Sequence, residues 1–512
     1  MKPGVLLIRA DASLAIGTGH VMRCLALAQA WQDAGGHAIF AMAEGTPAVE
    51  ERLRNEGFAV ARAEVRVGSA ADAKETARLA HKHNASWVVV DGYEFGARYQ
   101  ASLKSWGLKV LFVDDNGNAE HYSAEIVLNQ NAHAREGFYP SRDASTRLLL
   151  GPRFAMLRRE FTAWRGWNRE TSAVARRVLV TMGGSDPDNI TERVVRAILA
   201  DPSLNATVVV GGSNPHLCQL RELVAGAQQN VRLVENVPNM PELMAKTDVA
   251  ISGAGTTSLE MCFLGLPAML IVLADNQRAA AEELNRRGAA INLGEGAEVR
   301  PSTLSPCLTR LISSEGARKA MSERGRELVD GHGAERVLRE LHTSTLQIRR
   351  ATTADCKLLW ELANDPTVRA SAFSPATIPW EDHVAWFESR MQTAACHILI
   401  GESQGAFAGQ VRIDERPDGQ GEIDVSVARE FRGAGVGSRL IDLAICEIFA
   451  STGMSRVHGY IRTQNTASQR AFENAGFQNA GEEQVKGHRA WHYVRDKATE
   501  RTVRAGIEGE SP

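Results

Sequence analysis

The residue of this sequence best suited to general-base chemistry is His20, which lies in a glycine-rich turn. The turn, Gly17-Thr18-Gly19-His20-Val21-Met22-Arg23, follows the apolar run Val5–Ile8 and precedes a helical pattern. Its glycines let backbone N–H groups approach a ligand, and the positive end of a helix disfavours an imidazolium. His20 is therefore a candidate to take a proton from water, or else a residue that caps or packs the helix end. Arg23 either holds a phosphate or braces the turn.

Two further glycine turns, each between a strand pattern and a helix pattern, are candidates to hold a diphosphate. The first is Gly183-Gly184-Ser185, after which Asp186 is predicted as an N-cap and Pro187 as the first helical residue. The second is Gly253-Ala254-Gly255-Thr256-Thr257-Ser258-Leu259-Glu260, whose helix start would present N–H groups to phosphate oxygens. Glu260 either accepts hydrogen bonds from two ribose hydroxyls or simply suits the helix dipole.

A third candidate phosphate-binding turn, also rich in glycine, lies far along the chain, between the predicted strand Glu422–Val427 and the predicted helix Ser438–Phe449. Its sequence is Arg432-Gly433-Ala434-Gly435-Val436-Gly437. Consecutive backbone N–H groups in such a turn can surround a pyrophosphate. The chain thus predicts three phosphate-binding turns and one candidate base.

The elements that must position these turns form three successive units. Residues 1–155 and 173–342 each alternate short apolar runs with helical patterns, which predicts two Rossmann-like domains with parallel sheets, facing a cleft. Residues 156–172 break this alternation and are predicted to be a linker or a crossover helix. From residue 346 to 497 the pattern changes to a mixed α/β domain. The predicted fold class is therefore α/β throughout.

Composition narrows the class of partners. The chain has 512 residues, 44% hydrophobic and 23% charged, with a formal net charge of −3, so neither nucleic acid nor a membrane is an expected partner. Its seven cysteines form no Cys-x-x-Cys pair, and no signal peptide or membrane-spanning run is visible, which favours a cytoplasmic location. No cluster has metal-ligand spacing, so no metal is expected. The sequence gives no indication of oligomeric state.

Residues 1–340 resemble a known family, the UDP-sugar hydrolases of pseudaminic acid biosynthesis (PseG). The resemblance rests on the turn at residues 17–23, on Asp91-Gly92-Tyr93, on Leu149–Arg158 and on Gly253–Glu260. It implies a GT-B architecture, similar to MurG-type glycosyltransferases. It also implies metal-independent hydrolysis of UDP-2,4-diacetamido-2,4,6-trideoxy-β-L-altropyranose to UDP and free sugar, with C–O cleavage and inversion.

The same resemblance implies roles for individual residues. His20 would activate water on the face opposite UDP, and Tyr93 would lie near the sugar, unless it is an ordinary loop residue. Asn276 and Gln277, which follow the predicted strand Ala268–Leu273, are expected to flank the nucleotide or the sugar. The substrate-binding set predicted for these two domains is Gly17, Gly19, Arg23, Tyr93, Gly183, Gly184, Ser185, Gly255, Thr256, Ser258, Glu260, Asn276 and Gln277.

Residues 346–497 resemble the GNAT acetyltransferases. The Arg432–Gly437 turn, then Asn465-Thr466-Ala467-Ser468, then Phe472-Glu473-Asn474-Ala475-Gly476-Phe477 follow one another as in that family. The resemblance implies acetyl-CoA as a co-substrate. Its predicted contacts are Arg432, Gly433, Gly435, Gly437, Asn465 and Ser468. In the pseudaminic pathway such an enzyme acetylates the 4-amino group of the UDP-linked amino sugar, one step before UDP is removed.

One position departs from the acetyltransferase pattern. Many members carry a tyrosine general acid where this chain has Phe472, so a proton for the leaving thiolate would come from Ser468 or from water. Glu422 or Asp424 could take the proton of the amine, directly or through water. The alternative for both carboxylates, slightly favoured, is a solvated strand face.

Other functions remain open on the sequence alone. A MurG-like transferase would pass the sugar to an acceptor instead of water, but the membrane-docking apolar and basic patch expected of it is not visible. The third unit could also be a coenzyme A-binding or regulatory module without catalysis, or a protein-lysine acetyltransferase.

Overall fold

The protein is described here by a computed structural model. It covers residues 4–13, 16–184, 186–212, 214–225, 230–235, 237, 239–403, 405–433 and 435–497. The chain divides into two compact units, an N-terminal unit that ends at Leu338 and a C-terminal unit that begins at Arg339. The boundary lies within one helix, α13 (Gly333–Thr343).

The N-terminal unit contains two parallel sheets, and the first has seven strands in the order β3-β2-β1-β4-β5-β6-β7. Its strands are β1 (Val5–Ala10), β2 (His37–Met42), β3 (Ala59–Arg62), β4 (Ala85–Asp91), β5 (Val110–Val113), β6 (Ile126–Asn129) and β7 (Arg147–Leu150). The helices between and after them are α1 (Gly19–Asp33), α2 (Pro47–Asn55), α3 (Ala70–Lys82), α4 (Ala97–Ser105) and α5 (Arg159–Thr162).

The second sheet has six parallel strands in the order β10-β9-β8-β11-β12-β13. Its strands are β8 (Arg177–Thr181), β9 (Asn205–Val210), β10 (Val231–Glu235), β11 (Val249–Gly253), β12 (Ala268–Val272) and β13 (Ile291–Glu295). Its helices are α6 (Ile190–Leu199), α7 (Leu217–Ala225), α8 (Met240–Ala245), α9 (Thr257–Phe263), α10 (Asp275–Arg286), α11 (Pro301–Ser313) and α12 (Glu315–Leu328).

Helices cover both faces of these sheets, because successive strand residues point to opposite sides and each side has its own core. On β8, Val178 and Val180 belong to one buried cluster, while Leu179 belongs to another. This explains why the strands are continuous apolar runs instead of alternating ones. The expected GT-B architecture with two Rossmann-like sheets is confirmed, and the carboxyl ends of the central strands carry the turns described above.

The C-terminal unit has one mixed sheet of seven strands in the order β14-β15-β16-β17-β18-β20-β19. Its strands are β14 (Leu346–Arg350), β15 (Cys396–Ser403), β16 (Ala406–Glu415), β17 (Gly421–Val427), β18 (Arg456–Arg462), β19 (Gln478–Val485) and β20 (His488–Asp496). Its helices are α14 (Cys356–Ala363), α15 (Pro366–Ser371), α16 (Trp380–Met391), α17 (Val436–Ser451) and α18 (Thr466–Asn474). The expected mixed α/β domain is confirmed.

Strands β17 and β18 are the one parallel pair in this sheet as described, and they separate early. Only Gly421–Ile423 of β17 pair with β18, where their partners are Val457–Gly459. Residues 424–427 of β17 therefore have no partner on β18. Ile423 and Val457 point into the core beneath α17. The opposite face of the opened pair is therefore left for polar side chains.

Across the described ranges, no helix has the length and apolar character needed to cross a membrane.

Candidate active sites

His20 lies at the start of α1, where the first glycine turn brings it to the carboxyl end of the first sheet. Gly17 has a φ of +74°, which favours glycine, and its N–H donates to the Ser13 carbonyl at 2.9 Å, closing the turn. His20 is 8% exposed, and its ring meets the Tyr93 ring edge to face with centroids 5.0 Å apart. The candidate base is thus held in place by an aromatic neighbour.

Arg23 is fully engaged by two buried carboxylates. Its Nε and Nη2 donate to Asp91 at 2.7 and 2.6 Å, and its Nη1 donates to Asp115 at 2.7 Å. The side chain is only 4% exposed. Of the two roles considered for Arg23, this geometry favours bracing the turn against β4 over holding a phosphate.

Asp115 is the centre of this polar cluster, and sequence reasoning did not single it out. Beyond Arg23, it accepts hydrogen bonds from Asn131 Nδ2 at 2.7 Å and from the Tyr93 hydroxyl at 2.9 Å. Burial alone would raise its pKa, but the Arg23 guanidinium outweighs burial and holds the pKa of Asp115 below its usual range. A signal existed, because Asp115 closely follows the buried strand β5 at the ligand-binding edge of a parallel sheet.

Tyr93 connects the two sheets of the N-terminal unit. Its hydroxyl accepts a hydrogen bond from Asn276 Nδ2 at 2.6 Å while it donates one to Asp115. Asn276 lies at the start of α10, a helix that packs with the second sheet. Burial and the Asp115 carboxylate raise the pKa of Tyr93 well above its usual value, so the phenol stays protonated. The residue is 40% exposed, which leaves part of the ring available to a ligand.

The first turn of the second sheet differs from the prediction. Helix α6 begins at Ile190, so the expectation that Asp186 is the N-cap and Pro187 the first helical residue is wrong. Asp186 instead reaches forward and accepts from the N–H groups of Ile190 and Thr191, both at 2.9 Å. These N–H groups are therefore not available to a diphosphate.

The glycines of this turn still face the histidine turn. A β-carbon at Gly184 would lie 3.3 Å from the Thr18 hydroxyl, so the two turns approach closely. Gly183 has a φ of +83°, a conformation that favours glycine. Ser185 lies outside the described residues.

The second turn of this sheet connects β11 to α9 and also lies beside the histidine turn. A β-carbon at Gly19 would stand 4.0 Å from Thr256 Oγ1. Thr256 is the N-cap of α9, which has no side-chain cap, and the Ser258 hydroxyl donates to the Gly255 carbonyl at 2.7 Å. Gln277 is near, because its Nε2 would lie 3.8 Å from a β-carbon at Gly255.

Glu260 is 8% exposed and forms an ion pair with Arg158 Nη2 at 3.0 Å. Burial raises the pKa of Glu260, and the Arg158 charge opposes that rise. Both side chains, with Arg23 and Thr256, line a small crevice between the two sheets. A ribose that used Glu260 would have to share its carboxylate with Arg158.

Among the described residues, no group of three or more His, Cys, Asp or Glu side chains is placed to hold a metal ion. His488 and His492 both lie on β20. The absence of a metal requirement stays a prediction.

In the C-terminal unit, the glycine turn opens α17 as predicted. Gly435 is the N-cap with a φ of +76°, and Gly433 has a φ of +79°. Gly437 lies in the first turn of α17, and Ala434 lies outside the described residues. The Arg432 guanidinium donates to Asp365 Oδ1 at 2.8 Å and to the Val427 carbonyl at 3.0 Å. Arg432 is therefore held by the protein itself.

The second acetyltransferase motif caps α18. The Asn465 side chain accepts from the Ser468 N–H at 3.1 Å, which leaves the half-buried Ser468 hydroxyl free to turn toward a ligand. Phe472, where a tyrosine acid is common, is 5% exposed and packs against Phe477 and Tyr493. It is a core residue in this chain.

Glu422 and Asp424 both stand exposed on β17, on the face opposite the core. Asp424 has Arg412 Nη2 at 3.7 Å. The exposure agrees with the solvated strand face that the sequence slightly favoured, although it leaves both carboxylates accessible to an amine.

A histidine pair on the same face was not predicted. His458, the register partner of Glu422, places its Nδ1 2.9 Å from His492 Nε2, and His492 Nδ1 lies 2.8 Å from Glu483. Tyr460 stacks on His492 with ring centroids 4.8 Å apart. Burial and the nearby charges of Arg416 and His492 lower the pKa of His458. Strands far apart in sequence form this cluster, so no local pattern could have revealed it.

Two domain families match the chain. The Acetyltransferase (GNAT) domain matches residues 345–478, and the Glycosyltransferase family 28 C-terminal domain matches residues 178–335. The first falls on the mixed sheet with its glycine turn. The second falls on the six-stranded sheet with the turns at Gly183 and Gly253.

Three relatives span different parts of the chain. The spore coat polysaccharide biosynthesis protein SpsG of Bacillus subtilis is 31% identical over 231 residues, 44% of this chain and 67% of that protein. The UDP-2,4-diacetamido-2,4,6-trideoxy-beta-L-altropyranose hydrolase of Campylobacter jejuni is 25% identical over 291 residues, 55% of this chain and 97% of that protein.

The third relative extends over both units. It is an uncharacterized protein of Methanocaldococcus jannaschii, MJ1062, 23% identical over 485 residues, which are 91% of this chain and 95% of that protein. Together these matches confirm the expected fusion of a PseG-like part with an acetyltransferase part.

Proposed function

Because this chain belongs to the family of the spore coat polysaccharide biosynthesis protein SpsG, and joins a PseG-like part to an acetyltransferase part, we propose that it processes a UDP-linked amino sugar. In this proposal the C-terminal unit transfers an acetyl group from acetyl-CoA to the 4-amino group of the sugar. The N-terminal unit then hydrolyses the acetylated product, UDP-2,4-diacetamido-2,4,6-trideoxy-β-L-altropyranose, to UDP and free sugar, as in pseudaminic acid biosynthesis.

The observation that carries the hydrolase proposal is the cluster of His20, Tyr93 and Asp115 with Asn276. The second sheet supplies Asn276 at 2.6 Å from Tyr93, so groups from both sheets converge beside the candidate base. The glycine turns at Gly184 and Gly255 lie next to the same histidine turn. A nucleotide on the second sheet would thus present its sugar to His20.

The reaction follows from these positions. His20 takes a proton from water, the water oxygen bonds to the anomeric carbon, and the bond from that carbon to the UDP oxygen breaks with its electron pair leaving on UDP. Attack from the face opposite UDP inverts the anomeric centre. Diphosphate is a stable leaving group, so backbone N–H groups of the Gly253–Thr257 turn suffice to stabilise its charge and no side-chain acid is required.

The acetyl transfer relies on the opened pair β17 and β18. The pyrophosphate of acetyl-CoA would lie at the turn that opens α17, and the thioester would extend along the unpaired residues 424–427. The neutral amine attacks the thioester carbon, and coenzyme A leaves as a thiol after it receives a proton. Glu422 and Asp424 lie on the exposed face from which the amine would approach.

Transfer of the sugar to an acceptor is the second candidate, and the Glycosyltransferase family 28 match favours it. One experiment separates the two. The purified protein is incubated in ¹⁸O-water with a panel of UDP-diacetamido sugars, with EDTA present, and followed by anomeric NMR and mass spectrometry. We expect UDP and a free sugar with inverted configuration that carries ¹⁸O.

The result that contradicts hydrolysis is an intact UDP-sugar in water that is consumed only when an acceptor is added. Activity that disappears with EDTA and returns with Mg²⁺ would contradict the metal-free mechanism. For the acetyl transfer, the His20→Ala protein is given the UDP-4-amino sugar and acetyl-CoA. Accumulation of a UDP-sugar that has gained one acetyl group is expected, and its absence while acetyl-CoA still binds would leave the third domain a binding module.

A further inference from the structure

The arginines of the C-terminal glycine turn are already paired with the protein. Arg432 donates to Asp365 at 2.8 Å, and Arg439, in the first turn of α17, donates from Nη1 to Asp442 at 2.9 Å. A guanidinium that is bound to a carboxylate offers little net charge to a phosphate. Neither of these two arginines, which the structure describes at the turn, is therefore left as an unpaired cation.

Arg339, unlike Arg432 and Arg439, lies beside this turn without a carboxylate partner in the described part of the chain. It begins the C-terminal unit within α13, and its side chain lies against Gly435: a β-carbon at Gly435 would be 2.3 Å from Arg339 Cδ and 3.3 Å from its Nε. The residue is exposed, and no hydrogen bond or ion pair joins its side chain to another residue that the structure describes. Gly435 is the N-cap of α17, so an unpaired guanidinium lies at the positive end of a helix.

That juxtaposition is electrostatically unfavourable until an anion lies between the two positive groups. The anion that this unit is proposed to bind is coenzyme A, which carries a pyrophosphate and a 3′-phosphate. A guanidinium can bind two phosphate oxygens at once, and the N–H groups of a glycine turn can bind others. We infer that Arg339 is a phosphate ligand of coenzyme A, working together with the turn at Gly433–Gly437.

The inference rests on the proposed use of acetyl-CoA and adds a residue to that site. Arg339 lies before residue 345, where the acetyltransferase match begins, and also before the predicted start of the third domain at residue 346. A fragment that begins at residue 346 would therefore lack one of the side chains that bind coenzyme A. The coenzyme site would depend on the helix that precedes β14.

The test is isothermal titration calorimetry of the full chain with coenzyme A, comparing the wild type with Arg339→Ala, Arg339→Lys and a control. We expect Arg339→Ala to weaken binding by about tenfold, because one charge-assisted contact is lost. Arg339→Lys should lie between the two, because it keeps the charge without the planar fork. The control is Lys357→Ala, which removes a charge from a side chain that is 75% exposed on α14 and should bind as the wild type does.

A second titration with 3′-dephospho-coenzyme A identifies the phosphate. If Arg339→Ala also weakens the binding of 3′-dephospho-coenzyme A, Arg339 contacts the pyrophosphate. If the variant binds 3′-dephospho-coenzyme A as tightly as the wild type does, Arg339 contacts the 3′-phosphate. Equal affinities of wild type and Arg339→Ala for coenzyme A would overturn the inference alone. No binding by the wild type would refute the proposed acetyl-CoA use as well, so the two failures are distinguishable. Since Arg339 is exposed, an unchanged thermal midpoint should accompany the variant.

Discussion

Arg23 and Asp115 in the N-terminal unit are buried and joined at 2.7 Å, whereas Glu422 and Asp424 in the C-terminal unit stand exposed on one strand. In the first site Arg23, Asp115 and Tyr93 have their hydrogen-bond partners inside the protein before any ligand arrives. In the second site the candidate bases are surrounded by solvent, and the motif arginine Arg432 is committed elsewhere.

This difference shows two ways of preparing a site. Burying Arg23 with two carboxylates costs desolvation, which good geometry and complete hydrogen bonding must offset. In return the positions of His20 and Tyr93 are fixed relative to the cleft. On the strand face of the C-terminal unit the carboxylates keep their hydration, and only a bound substrate would organise them. The two sites should consequently respond very differently to substitution.

The largest effect is expected at His20. His20→Asn keeps the approximate shape and removes the base, so UDP-sugar hydrolysis should fall by about 10²–10⁴-fold. Acetyl transfer by the same protein should be unchanged, because the C-terminal unit has its own glycine turn. Steady-state rates of UDP release and of thiol release measure the two reactions. Near-normal hydrolysis would mean that another group activates the water.

The second largest difference between the two sites is expected in the free energy of unfolding when a carboxylate is replaced. Asp115→Asn leaves the buried Arg23 with one carboxylate in place of two, and should lower the free energy of unfolding of the N-terminal unit by about 3 kcal/mol. Asp424→Asn, on the exposed face, should change stability by less than about 0.5 kcal/mol. Urea unfolding followed by tryptophan fluorescence gives both values. Equal effects of the two substitutions would remove the contrast between a prepared site and a solvated one.

A smaller effect is expected on acetyl transfer from the exposed carboxylates. Glu422→Gln and Asp424→Asn should each lower kcat/KM for acetyl transfer by less than about tenfold, because a hydrated carboxylate can be replaced by water in accepting a proton. The measurement is thiol release with saturating acetyl-CoA and varied amine. If one substitution costs a hundredfold or more, that carboxylate is the base and the strand face is a prepared site after all.

The smallest effect is a pH dependence in the C-terminal unit. The Arg349 guanidinium holds the pKa of Asp355 at about 2, below its usual value. A carboxyl whose folded pKa is lowered adds stability above its unfolded pKa of about 4, and that stability is lost as the pH falls toward the folded value. The thermal midpoint of this unit should therefore decline between about pH 4 and pH 2, and less steeply in Asp355→Asn. Identical slopes would exclude the contribution.

Much of the fold follows from local sequence. The apolar runs at Val5–Ile8 and Val178–Met182 indicate buried strands, and the glycines that follow them mark the turns, because strand burial and positive φ are properties of neighbouring residues. The start of α6 was the exception. An aspartate can accept hydrogen bonds from the first N–H groups of a helix either as the N-cap residue or from a position several residues before it. The conformation of the loop decides between the two, and here Asp186 lies four residues before Ile190, the first residue of α6.

Sequence by itself therefore determined the alternation of strands and helices, the four glycine turns and the presence of His20 in the first of them. Tertiary structure decided which partners those residues have. Asp115 meets Arg23 across 92 residues, Asn276 meets Tyr93 across 183, and His458 meets His492 across 34. These pairs depend on which strands are neighbours in a sheet and on how two sheets face each other. Neither is encoded in the spacing of residues along the chain, because contacts of this range are fixed only when the whole core packs.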